Sequence, residues 1–225
     1  MATPLGPHPD DPSDFGTAAV DALVEAARHL RWLADHGYAQ RASTKLTGDR
    51  FQLTRRQRQA LARGTCTSAA ARDRLDRHHP PRGTVHVDGF NVLFPIERAL
   101  GGGPVVRGQD GAFRDLGVPG RWRASTGTDR ALDALTEALP DDVQLHWWLD
   151  APVANSGRLA TRLRERGWTA DLVPTADPVL VEQSSLVATS DAGILDRGVH
   201  WTDLIGPTLR ATLPDPWIVD LLEDP

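Results

Sequence analysis

From Thr84 onward, short apolar runs alternate with helix-like segments, and three of the runs stop on an aspartate. The runs are "TVHVD", "VQLHWWLD", "TADLVP" and "SLVATSD". Most are continuously apolar, as strands covered on both faces are, whereas a half-wet sheet gives strict alternation. Between them lie segments of helical spacing. One is Thr128–Leu139, with Ala131, Leu132, Leu135 and Leu139 in register, and another is Ser156–Arg166, with Leu159 and Leu163. A short piece lies near Pro178–Gln183, with Asp177 as its expected N-cap and Pro178 as its first residue, and another starts at Ser190. A last strand is expected near Val199–Trp201, before a helix from about Asp203. This order predicts an α/β fold, a doubly wound parallel sheet. One insertion, "GPVVRGQDGAFRDLG", carries an Asp-Gly turn at Asp110–Gly111 and reads as a hairpin.

The part before Thr84 has a different period. Val20, Leu23, Val24, Ala27 and Leu30 share one face of a helix expected over Thr17–Asp35. A short helix is expected over Gln40–Leu46, stopped by Gly48. Thr54 and Gln57 form a T-x-x-Q capping box for a third helix ending at Gly64, and Thr67 and Ser68 can start a fourth. Residues 17–78 therefore read as an all-α module, with Leu30, Leu33, Leu46, Phe51, Leu53 and Leu61 as its core. "HHPPRG" marks a boundary, and the sheet domain is expected over 84–215. Residues 1–16, rich in Pro and Asp, read as a disordered lead-in. They lack the basic head and apolar centre of a secretory signal, no apolar run reaches the ~20 residues of a membrane span, and Cys66 is the one cysteine. The expectation is a cytoplasmic protein with no membrane partner.

The strand-end acids carry the chemistry. All carboxyl ends of an open parallel sheet lie on one edge, where ligands bind. Asp88, Asp150 and Asp191 are therefore expected to converge, with Asp177 a few residues past the third strand. Gathering carboxylates costs several kcal/mol unless a cation neutralises them. Oxygen-only ligands select hard ions, so Mg²⁺ or Mn²⁺ is the expected occupant, suited to activating water against a phosphodiester. Each aspartate can also simply cap the helix that follows it. Asp88 has the most specific setting, because Gly89 permits a sharp turn and Asn91 can hydrogen-bond back to the carboxylate. The sequence holds no P-loop, no G-x-G-x-x-G after a strand and no G-x-S-x-G elbow. Lys45, the only lysine, lies outside the sheet domain, and position 90 is Phe, which speaks against aspartyl-phosphate chemistry.

"VDGFNVL", "WWLDAPVANSG" and "VATSDAGILDR" together resemble the PIN/NYN-like nuclease superfamily. "GDRFQLTRRQRQALARG" resembles the helical family called domain of unknown function 434, which often precedes a sheet domain of unknown function (5616). The two resemblances cover residues 17–210. They imply a Mg²⁺ site built from Asp88, Asp150 and Asp191, with Asn91 and Ser190 in support. Many PIN enzymes place a further acid on a helix between the first and second sheet strands. Here Glu97, Asp115, Asp129 and Asp133 are the candidates, and no motif selects one. Ser156, in the motif after Asp150, counts with Asp115 as a supporting residue.

Charge points to an anionic partner. Residues 40–82 hold eleven basic groups against three aspartates, whereas residues 83–225 hold twelve against twenty-one acids. The helix after Thr54 puts Arg55, Arg58 and Gln59 on one face and resembles the reader of a helix-turn-helix, although its arginines can equally pair with the acidic sheet domain. In "FRDLGVPGRWRAST", Arg114, Arg121 and Arg123 suit phosphate oxygens and Trp122 suits a base, or they pack locally. Trp147 and Trp148, within a strand, read as core, and His78 and His79 lack further ligands for a metal. The expectation is a Mg²⁺- or Mn²⁺-dependent nuclease acting on single-stranded or structured RNA rather than duplex DNA. The alternative is a non-catalytic nucleic-acid-binding or regulatory protein on the same scaffold.

Overall fold

In the computed structural model, which describes residues 6–117 and 126–222, five helices come first. They are α1 (Asp11–Asp14), α2 (Thr17–Asp35), α3 (Gln40–Arg50), α4 (Arg55–Gly64) and α5 (Ser68–Asp76). Next come β1 (Thr84–Asp88), α6 (Gly89–Leu100), β2 (Val105–Arg107), β3 (Phe113–Arg114) and α7 (Thr126–Ala138). Then follow β4 (Gln144–Asp150), α8 (Ser156–Glu165), β5 (Thr169–Val173), α9 (Ala176–Val181), β6 (Leu186–Ala188) and α10 (Ala192–Leu195). The chain continues through β7 (Trp201–Thr202), α11 (Ile205–Thr212) and β8 (Ile218–Asp220). Strands β5-β4-β1-β6-β7 form one sheet in that order, with every pairing parallel. The continuously apolar strands are explained by the main core, in which Val85, Val87, Leu145, Trp147 and Leu149 pack against Leu93, Ile96, Leu132, Leu159 and Leu163 of α6, α7 and α8. Trp147 is fully buried, as expected; Trp148 is half-buried on the other face and donates its indole N–H to His86 Nδ1 at 3.0 Å.

The expected hairpin belongs to a second sheet, ordered β3-β2-β8, in which β2 runs antiparallel to β3 and parallel to β8. Residues past 215 thus add a strand that lay outside the expected sheet domain. This small sheet shares a core with the N-terminal helices, where Phe15, Leu23, Leu30 and Leu61 meet Val106, Leu116, Val219 and Leu221. Residues 6–16, read from composition as a disordered lead-in, are tied to that core. Phe15 is 2% exposed, buried Asp11 accepts from Arg56 Nε at 2.8 Å, and Gln57 Nε2 donates to the Asp14 carbonyl at 2.9 Å.

Local signals mostly set the boundaries. The Thr54–Gln57 capping box forms in both directions, with Gln57 N–H on Thr54 Oγ1 at 3.2 Å and Thr54 N–H on Gln57 Oε1 at 2.9 Å. Gly48 does not stop α3. It lies within the helix because a Cβ there would meet the Arg58 guanidinium at 2.4 Å, so the glycine makes room for a crossing arginine. Leu46, expected in the core, is 60% exposed, and Leu33 and Phe51 are half-buried. Helix α9 begins one residue before Asp177, so Asp177 lies in the first turn and does not cap it.

Candidate functional site

The strand order makes β1 and β6 the switch point. From β1 the chain builds outward through β4 and β5 on one side, then returns to lay β6 and β7 on the other. Connections leave such neighbours in opposite directions, which opens a crevice beyond their carboxyl ends. Asp88 ends β1 at this point, and Thr189, Ser190 and Asp191 follow β6 directly. Because Val87 is level with Ala188, Thr189 arrives beside Asp88, and its hydroxyl donates to Asp88 Oδ2 at 2.7 Å. Asn91 Nδ2 donates to the same oxygen at 2.8 Å, the back-bond expected from "DGFN".

Two residues of α6 bring this about. Gly89 was expected to permit a turn, but what it supplies is space, since a Cβ there would meet Leu149 Cδ2 at 2.2 Å and the Trp148 carbonyl oxygen at 3.0 Å. The start of α6 can therefore press on β4. Pro95, inside α6, has no N–H to give to the carbonyl four residues back. That carbonyl belongs to Asn91, and it accepts instead from Ser190 Oγ at 3.1 Å, joining α6 to the turn after β6.

Next to Asn91 lies a cleft of about 460 Å³. Phe90, Phe94 and Val153 give it apolar walls, and Asp150, Asp191, Asp115, Asn91 and Arg63 give it polar ones. Of the four acids that no motif could separate, Asp115 is the one that lines the cleft. Its carboxylate accepts from the Gly117 N–H at 2.7 Å and from Arg63 at 3.4 Å. Glu97 is buried against Thr128, and Asp129 and Asp133 pair with Arg162 and Arg166. Arg63 was not marked as a site residue in the sequence. It reaches the cleft from α4, bonding the carbonyl oxygens of Asp115 at 2.5 Å and Gly117 at 3.1 Å.

The expected aspartates share this edge without forming a cage. Asp88 is level with Trp148, two residues short of Asp150, which separates the two α-carbons by roughly 8 Å given ordinary strand rise and spacing. Asp88 is 3% exposed and reaches the cleft through Asn91, which lines it. Asp150 Oδ1 accepts the Ala176 N–H at 2.9 Å and so caps α9 from a neighbouring strand. Asp191 Oδ1 caps α10, accepting from Gly193 N–H at 2.6 Å and Ile194 N–H at 3.2 Å. The second oxygen of each accepts no hydrogen bond from the described residues. Among those residues, no group of three or more His, Cys, Asp or Glu side chains is placed to hold a metal ion.

Burial and neighbouring acids raise two of the carboxyls along this edge. Burial raises the Asp88 carboxyl, the Thr189 and Asn91 hydrogen bonds oppose that, and Asp191 and Asp177 raise it further, leaving it at about 7. Asp177 is raised by burial and by Asp191 and Asp150. The donor set is all oxygen, with two cleft carboxylates each offering a free oxygen. That fits a hard ion held by one or two carboxylates, waters and a substrate phosphate, the usual manner of Mg²⁺, and does not fit a three-carboxylate cage.

Other expected site residues hold the structure together. Arg114 is 7% exposed and gives both terminal nitrogens to Asp110, at 2.8 and 2.6 Å, and its Nε to the Ser190 carbonyl at 2.9 Å, so it fixes the turn after β6. Asp110 also accepts from Arg74 at 2.6 Å. Burial alone would raise the Asp110 carboxyl, but Arg114 and Arg74 outweigh it and bring it down to about 2. Arg58 bonds the Leu53 and Lys45 carbonyls and Asp49. Arg55 is exposed on α4. Ser156, 4% exposed, donates to the Ala151 carbonyl at 3.2 Å and secures the start of α8. Arg121, Trp122 and Arg123 lie outside the described residues.

Comparison with known proteins adds a family. The profile described as Domain of unknown function (DUF5616) matches residues 81–207, and that described as Protein of unknown function (DUF434) matches residues 22–77. The chain is 26% identical over 203 residues to "Uncharacterized protein MJ0935" of Methanocaldococcus jannaschii, covering 84% of this chain and 97% of that protein. No solved structure matches.

Proposed function

We propose that this chain, which belongs to the family described as Domain of unknown function (DUF5616), is a Mg²⁺- or Mn²⁺-dependent phosphodiester hydrolase with a PIN/NYN-like sheet domain, acting on RNA. The observation that carries this reading is Asp88. It is a carboxylate buried at the switch point of a parallel sheet, held by Thr189 and by Asn91, which lines a cleft together with Asp150 and Asp191. A purely structural residue at that place would not need a charge that burial opposes.

The free oxygens of Asp150 and Asp191 would hold the ion, which when bound supplies activated water and charge stabilisation at phosphorus. Asp88 adds negative potential and fixes the Asn91 amide at the cleft. Arg63 lines the same cleft, where a phosphate oxygen would meet its guanidinium. Phe90 and Phe94, with ring centroids 5.5 Å apart, offer an apolar shelf for a base. The test is cleavage of end-labelled single-stranded RNA and DNA with either ion. Wild type is expected to cut, and Asp191→Asn and Asp88→Asn to lose at least a hundredfold in rate. A wild type inert on both substrates with both ions would overturn the reading.

A second reading, a non-catalytic nucleic-acid binder, is favoured by one observation: Asp150 and Asp191 each already cap a helix. It predicts salt-sensitive RNA binding that Asp88→Asn leaves intact, together with no cleavage.

A further inference from the structure

Three clefts adjoin on one side of the molecule. The candidate-site cleft is bounded by Ala62, Arg63 and Ala192. A second, of about 360 Å³, is lined by the same three residues and reaches Tyr38 and Gln40. A third, of about 470 Å³, starts at Gln40 and Ala62 and follows Arg41, Thr44 and Lys45 along α3. Shared lining residues place the three side by side, and Gln40 Nε2 bonds the Ala62 carbonyl at 2.9 Å, which clamps the start of α3 to the end of α4 between them.

The chemistry changes from one cleft to the next. Arg41 and Lys45 are exposed, one turn apart on α3 and about 6 Å apart along its axis. Lys45 pairs with Asp49 at 2.7 Å, an exposed contact that a phosphate can replace at little cost, and Arg41 has no ion-pair partner among the described residues. The N-cap of α3 is Ala39, with no side chain to satisfy the first N–H groups of the helix, so its positive end is left open beside Arg41. Tyr38 is 58% exposed. The acids on the wall of the middle cleft, Asp110 and Asp196, are both held by Arg74.

We propose that the three adjoining clefts form one groove, a single-stranded nucleic-acid track. It leads a strand several nucleotides long from the basic face of α3 into the Asp150–Asp191 cleft. Arg41 and Lys45 engage backbone phosphates and Tyr38 stacks on a base, a contact that paired bases cannot make. The proposal rests on the hydrolase reading for its direction, since the strand ends at the acids.

The test is fluorescence anisotropy of a labelled 12-nucleotide single-stranded RNA in EDTA, where binding is read without cleavage. Arg41→Glu/Lys45→Glu is expected to weaken binding at least tenfold and to flatten the log–log salt slope by about 1.4, at about 0.7 per lost phosphate contact. Tyr38→Ala is expected to weaken it roughly fivefold or more, the low end of one lost stacking contact. Arg41→Gln/Lys45→Gln, checked for folding by circular dichroism, repeats the measurement with a milder change. A wild type that does not bind, or variants within twofold of it at unchanged slope, would overturn the track. Hydrolysis of a small aryl phosphodiester by the wild type with Mn²⁺ reports on the cleft alone. If the diester is untouched while the variants lose RNA affinity, the hydrolase reading fails and the track stands. If it is cleaved while affinity is unchanged, the reverse holds.

Discussion

Replacing Asp88 by asparagine is expected to make the fold more stable at alkaline pH while removing activity. The Asp88 carboxyl titrates at about 7 in the fold against an ordinary value of 3.8. Below pH 3.8 it is protonated in both the folded and unfolded chain and adds no penalty. Between 3.8 and 7 the unfolded chain ionises first, so stability falls by about 1.4 kcal/mol per pH unit, and above 7 the loss levels off at about 4 kcal/mol. Asparagine does not titrate, and its carbonyl oxygen still accepts from Thr189 and Asn91. Those bonds are neutral, as they are in the protonated acid, and their effect on the charged form is already contained in the value of about 7. The expected gain is therefore about 4 kcal/mol at pH 8 and close to zero at pH 4. Urea denaturation of both proteins in EDTA at pH 4, 6 and 8 measures it. A gain that ignores pH, or a loss at pH 8, would refute the reasoning that burial and the neighbouring acids Asp191 and Asp177 oppose this charge. Added Mn²⁺ is expected to narrow the gap at pH 8, because it binds more tightly near the charged Asp88 and so stabilises the wild type more.

Three further outcomes follow from the same contacts. Asp110→Ala leaves Arg114 and Arg74 buried without their shared carboxylate and is expected to cost about 3–5 kcal/mol in urea denaturation; a loss under ~1 kcal/mol would contradict the role given to this network. Gly89→Ala drives a methyl into Leu149 and the Trp148 carbonyl and is expected to cost about 1–3 kcal/mol, measured by thermal melting, where an unchanged midpoint would show that α6 can shift freely. Burial, helped by Asp110, pushes the Cys66 thiol up from 9.0 to about 11, so at pH 8 its reaction with an aromatic disulfide is expected to run at least about tenfold slower in the fold than in urea. Equal rates would place that thiol in water.

The elements could be read from local pattern because local forces set them: the face of α2, the capping box of α4, the apolar strands. Contacts distant in sequence were less visible. Gly48 looks like a helix stop until Arg58 is seen crossing it. Strand β8 is three residues long and owes its existence to pairing with β2, so no periodicity announces it. At the site, the Asp88–Asn91 bond spans three residues and was foreseeable. Thr189 was not, because it depends on the register of β1 with β6. Arg63 was hidden among many arginines until α4 was seen packed beside the hairpin. The three aspartates lie along one edge of the sheet, but strand register sets Asp150 two residues beyond Asp88, and composition cannot report register.

The most direct test is Mn²⁺ titration of the purified chain at pH 8, followed by the electron paramagnetic resonance signal of the free ion. The account predicts saturable uptake by the wild type, weakened at least tenfold in both Asp150→Asn and Asp191→Asn. A wild type that leaves all the manganese free in solution, or uptake that survives both substitutions unchanged, would contradict it.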